Sequence, residues 1–221
     1  MHAALAAAGC MAAAGCTGEH SALDPAGPVA RSVAALWWIM LAGAAVLFAA
    51  TSLALAGAFV PAIRGLLTTT RLIAWGGLII PSFVLAALVA AAFALGERHL
   101  PHGQAALRIE ATARQFLWEF RYPGGGSTRD VLHVPAGRAI DVVVTSADVI
   151  HSFWIPRLGG KIDAIPGHAN VIRLQADAPG TYGGLCAEFC GDGHTVMRFE
   201  AVAHAAADYE AALARATDAA R

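Results

Sequence analysis

Polar and apolar positions divide this chain into a first half of long apolar runs and a second half of short alternating ones. From Ser32 to Val60 there is no charged residue, and 37–59 is almost wholly apolar. A bilayer core of ~30 Å takes about 20 helical residues to cross, so this run predicts a membrane span. Trp37 and Trp38 stand at its start, where indoles favour the membrane–water interface. A second uncharged run covers 72–96, with Pro81 as a candidate kink that a neighbouring helix can tolerate. The connection 61–71 carries Arg64 and Arg71 and no acid. Positive charge in a short connection favours the cytoplasmic side. Both the N-terminus and everything after Glu97 are therefore expected outside the cytoplasm.

Beyond Glu97 charges return and the pattern alternates. Candidate strands cover 107–114, 117–122, 130–134, 140–145, 171–175, 181–185 and 196–202, and several short strands at such spacing predict an all-β Greek-key sandwich or barrel. Tyr122-Pro-Gly-Gly-Gly-Ser, Pro135-Ala-Gly and Ala178-Pro-Gly punctuate them. The Ala-rich tail 205–221 is predicted helical. The expected organisation is a leader over 1–16, a linker over 17–31 rich in Pro, Gly, Asp and Ser, a transmembrane helix hairpin over 32–96, a β-domain over 97–204 and the tail.

Composition agrees with a membrane anchor. Of 221 residues, 57% are hydrophobic and 14% charged, against about 25% charged in soluble domains. The net charge is -1, and no Lys/Arg cluster appears, which excludes a basic nucleic-acid binder. The four cysteines fall in two pairs, Cys10 and Cys16 in the leader and Cys186 and Cys190 near the other end. The leader ends in Ala-Ala-Gly-Cys, which resembles a bacterial lipoprotein processing site. Cleavage there would leave Cys16 as a lipid-modified N-terminus. An Ala-rich leader without lipid is the competing reading, since the segment lacks a basic start. No Cys-x-x-Cys-His occurs, so no haem c is expected on this chain.

The densest chemistry is Cys186-Ala-Glu-Phe-Cys-Gly-Asp-Gly-His-Thr-Val-Met197, with His151 upstream in Asp148-Val-Ile-His-Ser-Phe-Trp. Thiolate together with thioether selects copper over magnesium, calcium or manganese. Zinc would be satisfied by two Cys and two His, without Met197. A mononuclear blue-copper site needs one thiolate, and here there are two. Two thiolates can bridge two copper ions, with one His and one weak axial ligand for each. Met197 would serve one ion and a backbone carbonyl of the loop the other. A disulfide, a structural zinc site and a copper-delivery protein remain as rival readings.

These motifs, with Gly160-Lys-Ile-Asp-Ala-Ile-Pro-Gly167 between them, resemble cytochrome c oxidase subunit II over roughly residues 17–205. The resemblance implies a two-helix anchor plus a cupredoxin-like β-barrel. It implies His151, Cys186, Cys190, His194 and Met197 as ligands of the two-copper centre called copper A. Glu188 would add its backbone carbonyl, with its carboxylate on a magnesium ion shared with subunit I. Asp163 lies near that interface. The implied function is a relay that takes electrons from cytochrome c and hands them to haem in subunit I, where oxygen becomes water and protons are pumped. A nitric-oxide reductase-type enzyme using the same module and a membrane-anchored copper chaperone are the alternatives. The implied location is the bacterial cytoplasmic membrane with the copper domain on its outer, periplasmic face.

Phe116 and Trp118 occupy the family's electron-uptake aromatics, although Phe116 stands where Trp is usual. Asp148 would steer a basic cytochrome c; Asp192 reads as an ordinary solvated acid. No acid lies between Asp24 and Glu97, so the glutamate that many members use for proton uptake near the second helix is missing. His133, His168 and His204 read as surface or packing residues, His99 and His102 as interfacial, and Trp154 equally as core packing or electron transfer.

Overall fold

The structure, a computed structural model, describes residues 16–67, 70–99, 101 and 107–219. Most of the leader, including Cys10, lies outside the described residues, as does His102. The described residues form two compact units, one within 35–99 and one joining 16–34 to the described residues from 101 onward.

The anchor unit holds the apolar runs. Helix α1 (Pro28–Gly57) and α2 (Pro61–Leu67) each begin at a proline, a residue whose fixed φ suits the first helical position. A second long helical stretch follows as α3 (Thr70–Ala74), a π turn (Trp75–Ile79) and α4 (Ile80–His99). Two of these stretches, Pro28–Gly57 and Leu72–Gly96, are long and apolar enough to cross a membrane. The most apolar windows of the two are only 6% and 0% buried in the protein. A core helix of a soluble protein would be covered, so these faces are built for lipid. The π turn explains Pro81. Proline has no N–H to give and its ring crowds the carbonyl four residues back; ahead of it the ladder widens, and the Ile80 N–H bonds the Trp75 carbonyl five residues back. Inside the span, the Thr51 hydroxyl donates to the Leu47 carbonyl at 2.9 Å, so this polar group stays satisfied in hydrocarbon.

The other unit is a two-sheet sandwich. One sheet runs β3-β2-β1-β5-β8 and the other β4-β10-β9-β6-β7. The strands are β1 (Leu107–Arg114), β2 (Leu117–Arg121), β3 (Ser127–Arg129), β4 (Val131–Pro135), β5 (Ile140–Ser146), β6 (His151–Trp154), β7 (Ile162–Ala164), β8 (Asn170–Leu174), β9 (Gly180–Cys186) and β10 (Arg198–His204). Pairing is antiparallel except for β1 with β5 and β4 with β10. Alternation puts Ile109, Trp118, Phe120, Val142 and Val144 of one sheet against Leu132, Phe153, Phe199 and Ala201 of the other, all at most 3% exposed. Helix α5 (Tyr209–Ala219) closes one side, with Tyr209 buried and Leu213 against the core.

Seven strands match the alternating runs within a few residues; β3, β6 and β7 have no such signal. β3 and β7 are three residues long. β6 is buried at His151, Ser152 and Phe153 in succession, so it lacks the period of two. At the other boundary, Asp130 turns the chain between β3 and β4 with φ 53°, and its carboxylate accepts the Trp118 N–H at 2.7 Å.

The segment expected as an extended linker is instead laid along the β-domain. The Ala26 N–H bonds the Arg157 carbonyl and the Asp177 N–H bonds the Ala26 carbonyl. Arg157 pairs with Asp24 at 3.0 Å and lies over the Tyr182 ring, and Arg31 pairs with Asp177. The residues before the first span and the domain after the second thus fold together. An even number of membrane crossings is the connectivity this requires.

Candidate metal centre

Three strand ends meet at one edge of the second sheet. His151 opens β6, Cys186 closes β9, and Met197 immediately precedes β10. The ladder fixes them: Phe153 pairs with Cys186, the Cys186 N–H bonds the Met197 carbonyl at 3.0 Å, and the Ala187 N–H bonds the Ser152 carbonyl at 2.9 Å. The β9–β10 connection holds Glu188, Cys190 and His194. It turns at Gly191, where φ is 128°, and again in a 3-10 turn over His194–Val196.

Five side chains and one carbonyl converge here in two half-sites. Around the Cys186 thiol lie His151 Nδ1 at 3.9 Å and the Glu188 carbonyl at 3.2 Å. Around the Cys190 thiol lie His194 Nδ1 at 3.7 Å and the Met197 sulfur at 3.8 Å. The two thiols are 3.8 Å apart and both cysteines are free; a disulfide would need ~2.05 Å. Metal bonds of ~2.3 Å to thiolate and ~2.0 Å to imidazole can span up to ~4.3 Å, so either sulfur–nitrogen pair can share one ion. The ligand atoms of His151, Cys186 and Cys190 all lie within 4.8 Å of one another. The donor set therefore fits a soft metal, each half-site offering a thiol, an imidazole nitrogen and one weak donor.

The surroundings prepare the ligands. His151 is fully buried, and its Nε2–H donates to the Asp148 carboxylate at 2.8 Å. That bond fixes the tautomer whose Nδ1 lone pair faces the thiol. The carboxylate also accepts the N–H groups of Gln115 and Val149, both at 2.7 Å. Burial alone would raise the Asp148 carboxyl, but these hydrogen bonds outweigh it and hold its pKa near about 2. Burial, with the neighbouring Cys186, pushes the Cys190 thiol up to about 11. Metal binding must therefore displace protons from the site.

The structure sorts the sequence-predicted residues. His151, Cys186, Cys190, His194, Met197 and the Glu188 carbonyl come together. The Glu188 carboxylate does not join them: it faces Lys161 at 3.3 Å, and Asp163 lies 3.9 Å from the same ammonium. The carboxylate of Asp148, expected as a docking charge, accepts from His151 and two backbone N–H groups and so holds the His151 ring. Phe116 lies at the surface over Gly193, whereas Trp118 is wholly buried 6.4 Å from the His151 ring. Trp118 therefore cannot touch a donor directly. Trp154 donates its indole N–H to the Gly159 carbonyl at 3.0 Å. His133 and His204 are bonded to each other, Nδ1 to Nε2 at 2.8 Å.

Sequence reasoning missed Gln115, whose side-chain amide donates to the Cys190 carbonyl at 2.6 Å, and Lys161, which donates to the Ala187 carbonyl at 3.3 Å. Both brace the loop from outside it, 75 and 26 residues away in sequence. Nothing in local spacing signals such contacts.

Comparison with known proteins agrees with this geometry. The family described as "Cytochrome C oxidase subunit II, periplasmic domain" matches residues 126–203. Cytochrome c oxidase subunit 2 of Alkalihalophilus pseudofirmus is 42% identical over 111 residues, covering 49% of this chain and 32% of that one. Heme-copper oxidase subunit 2 of Aeropyrum pernix is 42% identical over 102 residues, covering 44% of each. The chain thus spans between about a third and a half of the length of these relatives. The crystal structure of the periplasmic domain of subunit II of cytochrome oxidase of Bradyrhizobium japonicum aligns with a TM-score of 0.50 at 31% identity, covering 53% of this chain and 97% of that one. An exported sandwich of this topology and descent, with the paired-thiol loop between its last two strands, places the chain in the cytochrome c oxidase subunit II family.

Proposed function

We propose that this chain is the electron-relay subunit of a bacterial haem–copper oxidase, with His151, Cys186, Cys190, His194, Met197 and the Glu188 carbonyl holding two copper ions. The observation that carries the proposal is the pair of matched half-sites, each a thiol, an imidazole nitrogen and one weak donor. Two coppers held there would supply one-electron redox chemistry between cytochrome c and haem in subunit I, where oxygen would be reduced to water with proton pumping.

The chain's own residues do the rest. The two thiols would hold the ions between them, and the sandwich keeps both cysteines buried. Asp148 fixes the His151 tautomer, and Gln115 and Lys161 brace the loop carbonyls, so little has to move as the charge of the centre changes. Phe116 is the aromatic exposed to a donor, with Trp118 behind it against His151. On assembly, the Glu188 carboxylate would turn from Lys161 to a magnesium ion shared with subunit I. The two candidate spans support a seat in the cytoplasmic membrane, with the sandwich on its outer face. Processing at Cys16 would add a lipid anchor, which mass measurement of the mature N-terminus reads directly.

Copper-loaded full-length chain is expected to contain two coppers and to give a seven-line electron spin resonance pattern from one electron shared between them. Cys186→Ser should abolish that sharing, because a hydroxyl is a poor soft bridge. A single copper per chain, or an unchanged pattern in Cys186→Ser, refutes the assignment.

A further inference from the structure

Among the described residues of the β-domain, five large apolar side chains stand well exposed: Phe116 at 39%, Val149 at 39%, Ile150 at 47%, Phe189 at 74% and Val196 at 74%. Phe189 and Val196 sit on the loop that carries Cys190 and His194, Val149 and Ile150 lead directly into His151, and Phe116 sits in the β1–β2 turn against the first of these loops. Phe116 lies over Gly191 and Gly193. Phe189 sets its ring 5.8 Å from that of His194. Val196 ends the turn that His194 begins. Val149 and Ile150 lie between Asp148 and His151, beside Gln115 through the Asp148 carboxylate. Exposed apolar residues scattered singly carry no message; gathered at one end of a domain, they mark a surface that meets a partner.

The charges at this end are already engaged. Asp148 is held by His151 and two N–H groups, and Glu188 faces Lys161. Within 115–116, 146–150 and 186–197, Asp192 is the one acid for which no ion pair is seen among the described residues. A partner face ringed with basic side chains would find a single free carboxylate here. An uncharged apolar face would meet five matching side chains around His194, the imidazole ligand that is not fully buried.

We propose that this end of the domain takes its electron carrier through an uncharged apolar face around the carrier's exposed cofactor edge, with Phe116 as the central contact, and not through a ring of basic residues. The proposal rests on the copper-relay reading and specifies its partner. Charge complementarity mainly sets association rate and its salt dependence, so the two modes separate cleanly in kinetics.

The test mixes copper-loaded full-length chain, in detergent, with two small reduced single-haem cytochromes, one with an uncharged apolar surround to its haem edge and one with a lysine-ringed edge. Salt is raised from ~0.01 to ~0.1 M, over which the screening length falls from ~30 to ~10 Å. Each rate is normalised to reduction by hexaammineruthenium(II), which reports the state of the metal centre. The uncharged donor is expected to be the faster and to change by less than about twofold with salt. Phe116→Ser and Phe189→Ser should each slow it about tenfold; Phe189 is exposed enough that its replacement leaves the core intact. The proposal is overturned if the lysine-ringed donor is faster and loses its rate in salt, or if neither substitution slows the uncharged donor. It is equally overturned if sedimentation shows a dimer that Phe189→Ser dissociates, since a second copy would then be the occupant. Absence of the shared-electron signal before mixing would overturn the relay reading itself, and is read separately.

Discussion

Gly184 offers the sharpest test of how the core sets up the site. It lies on β9, two residues before Cys186, facing the Phe199 ring. A Cβ built there would stand 2.6 Å from Phe199 Cε1, with two other ring carbons closer still, whereas carbon atoms pack at ~3.5–4.0 Å. Gly184→Ala therefore demands a retreat of roughly 1 Å from that ring. The ring has nowhere to go. It is stacked on Phe153 at 4.8 Å and tilted against Phe120 and Trp118 at 5.5 and 5.6 Å, all of them buried. Overpacking of this kind costs ~1–3 kcal/mol, and four interlocked rings put it at the upper end. Restricting the unfolded chain returns ~0.4–1 kcal/mol, leaving a net loss of about 2 kcal/mol, or a Tm lower by about 5–10 °C for a domain of this size. Thermal unfolding of the copper-free chain in detergent, followed by near-ultraviolet circular dichroism of the aromatic cluster, reads it. Combining the change with Phe199→Leu should recover at least about 1 kcal/mol relative to additivity, since neighbours couple. A Tm within about 2 °C of the parent, or strictly additive variants, would refute the close approach.

Met197→Leu is close to volume-conserving and should cost under about 1.5 kcal/mol, keeping copper while shifting its visible spectrum; complete loss of copper would show that the thioether is more than a weak ligand. Arg157→Ala removes the Asp24 pair and the Tyr182 contact and should expose the chain around residues 17–27 to limited proteolysis, read by mass spectrometry of the fragments. The His133–His204 pair makes stability depend on pH. Burial holds both imidazoles below their ordinary 6.5, with the partner His204 adding to the effect on His133 and Arg215 adding to it on His204. The folded state therefore disfavours the protonated forms: this stability is fully present above 6.5 and is lost as pH falls from there through the lower folded values. Denaturant midpoints should fall over that window, and His133→Gln or His204→Gln should flatten the fall.

The anchor was legible because its signal is redundant. A bilayer imposes length and apolarity on every position of a span, so two uncharged runs suffice. β1, β2, β4 and β10 were legible because one of their faces is solvated and the other packed, which writes a period of two into the sequence, whereas β5, β8 and β9 lack a strict period in burial and were marked by runs of five to seven residues flanked by turn signals. The three that were missed are shorter: Ser127–Arg129 and Ile162–Ala164 have three residues each, and His151–Trp154 has four, three of them buried in succession, so none is long enough to show a period. The linker was misread for a related reason. Its Pro, Gly and Asp describe a segment without regular secondary structure, which is true of 17–27, but composition does not say whether such a segment is bonded to a distant surface. Only Arg157 and Asp177, more than 130 residues away, settle that.

The same distinction runs through the site. Ligands are chosen by chemistry, and a loop that concentrates thiol, imidazole and thioether announces them in one line of sequence. Supports are chosen by position. Gln115 and Lys161 reach the loop and Asp148 reaches His151 from separate strand ends, and all three are residue types found on any surface, so nothing local separates a bracing carboxylate from a solvated one. This is why Asp148 reads as a docking charge in sequence and proves to be the hydrogen-bond partner of His151 in the fold. Once it and Glu188 are engaged, the candidate metal end of the domain is nearly stripped of free acid, and the exposed rings of Phe116 and Phe189 are what it has left to offer a partner. The demand for rigid, well-oriented ligands thus shapes the face around them: each carboxylate recruited to hold a ligand or the loop is one fewer available for steering, and recognition shifts from charge toward apolar contact.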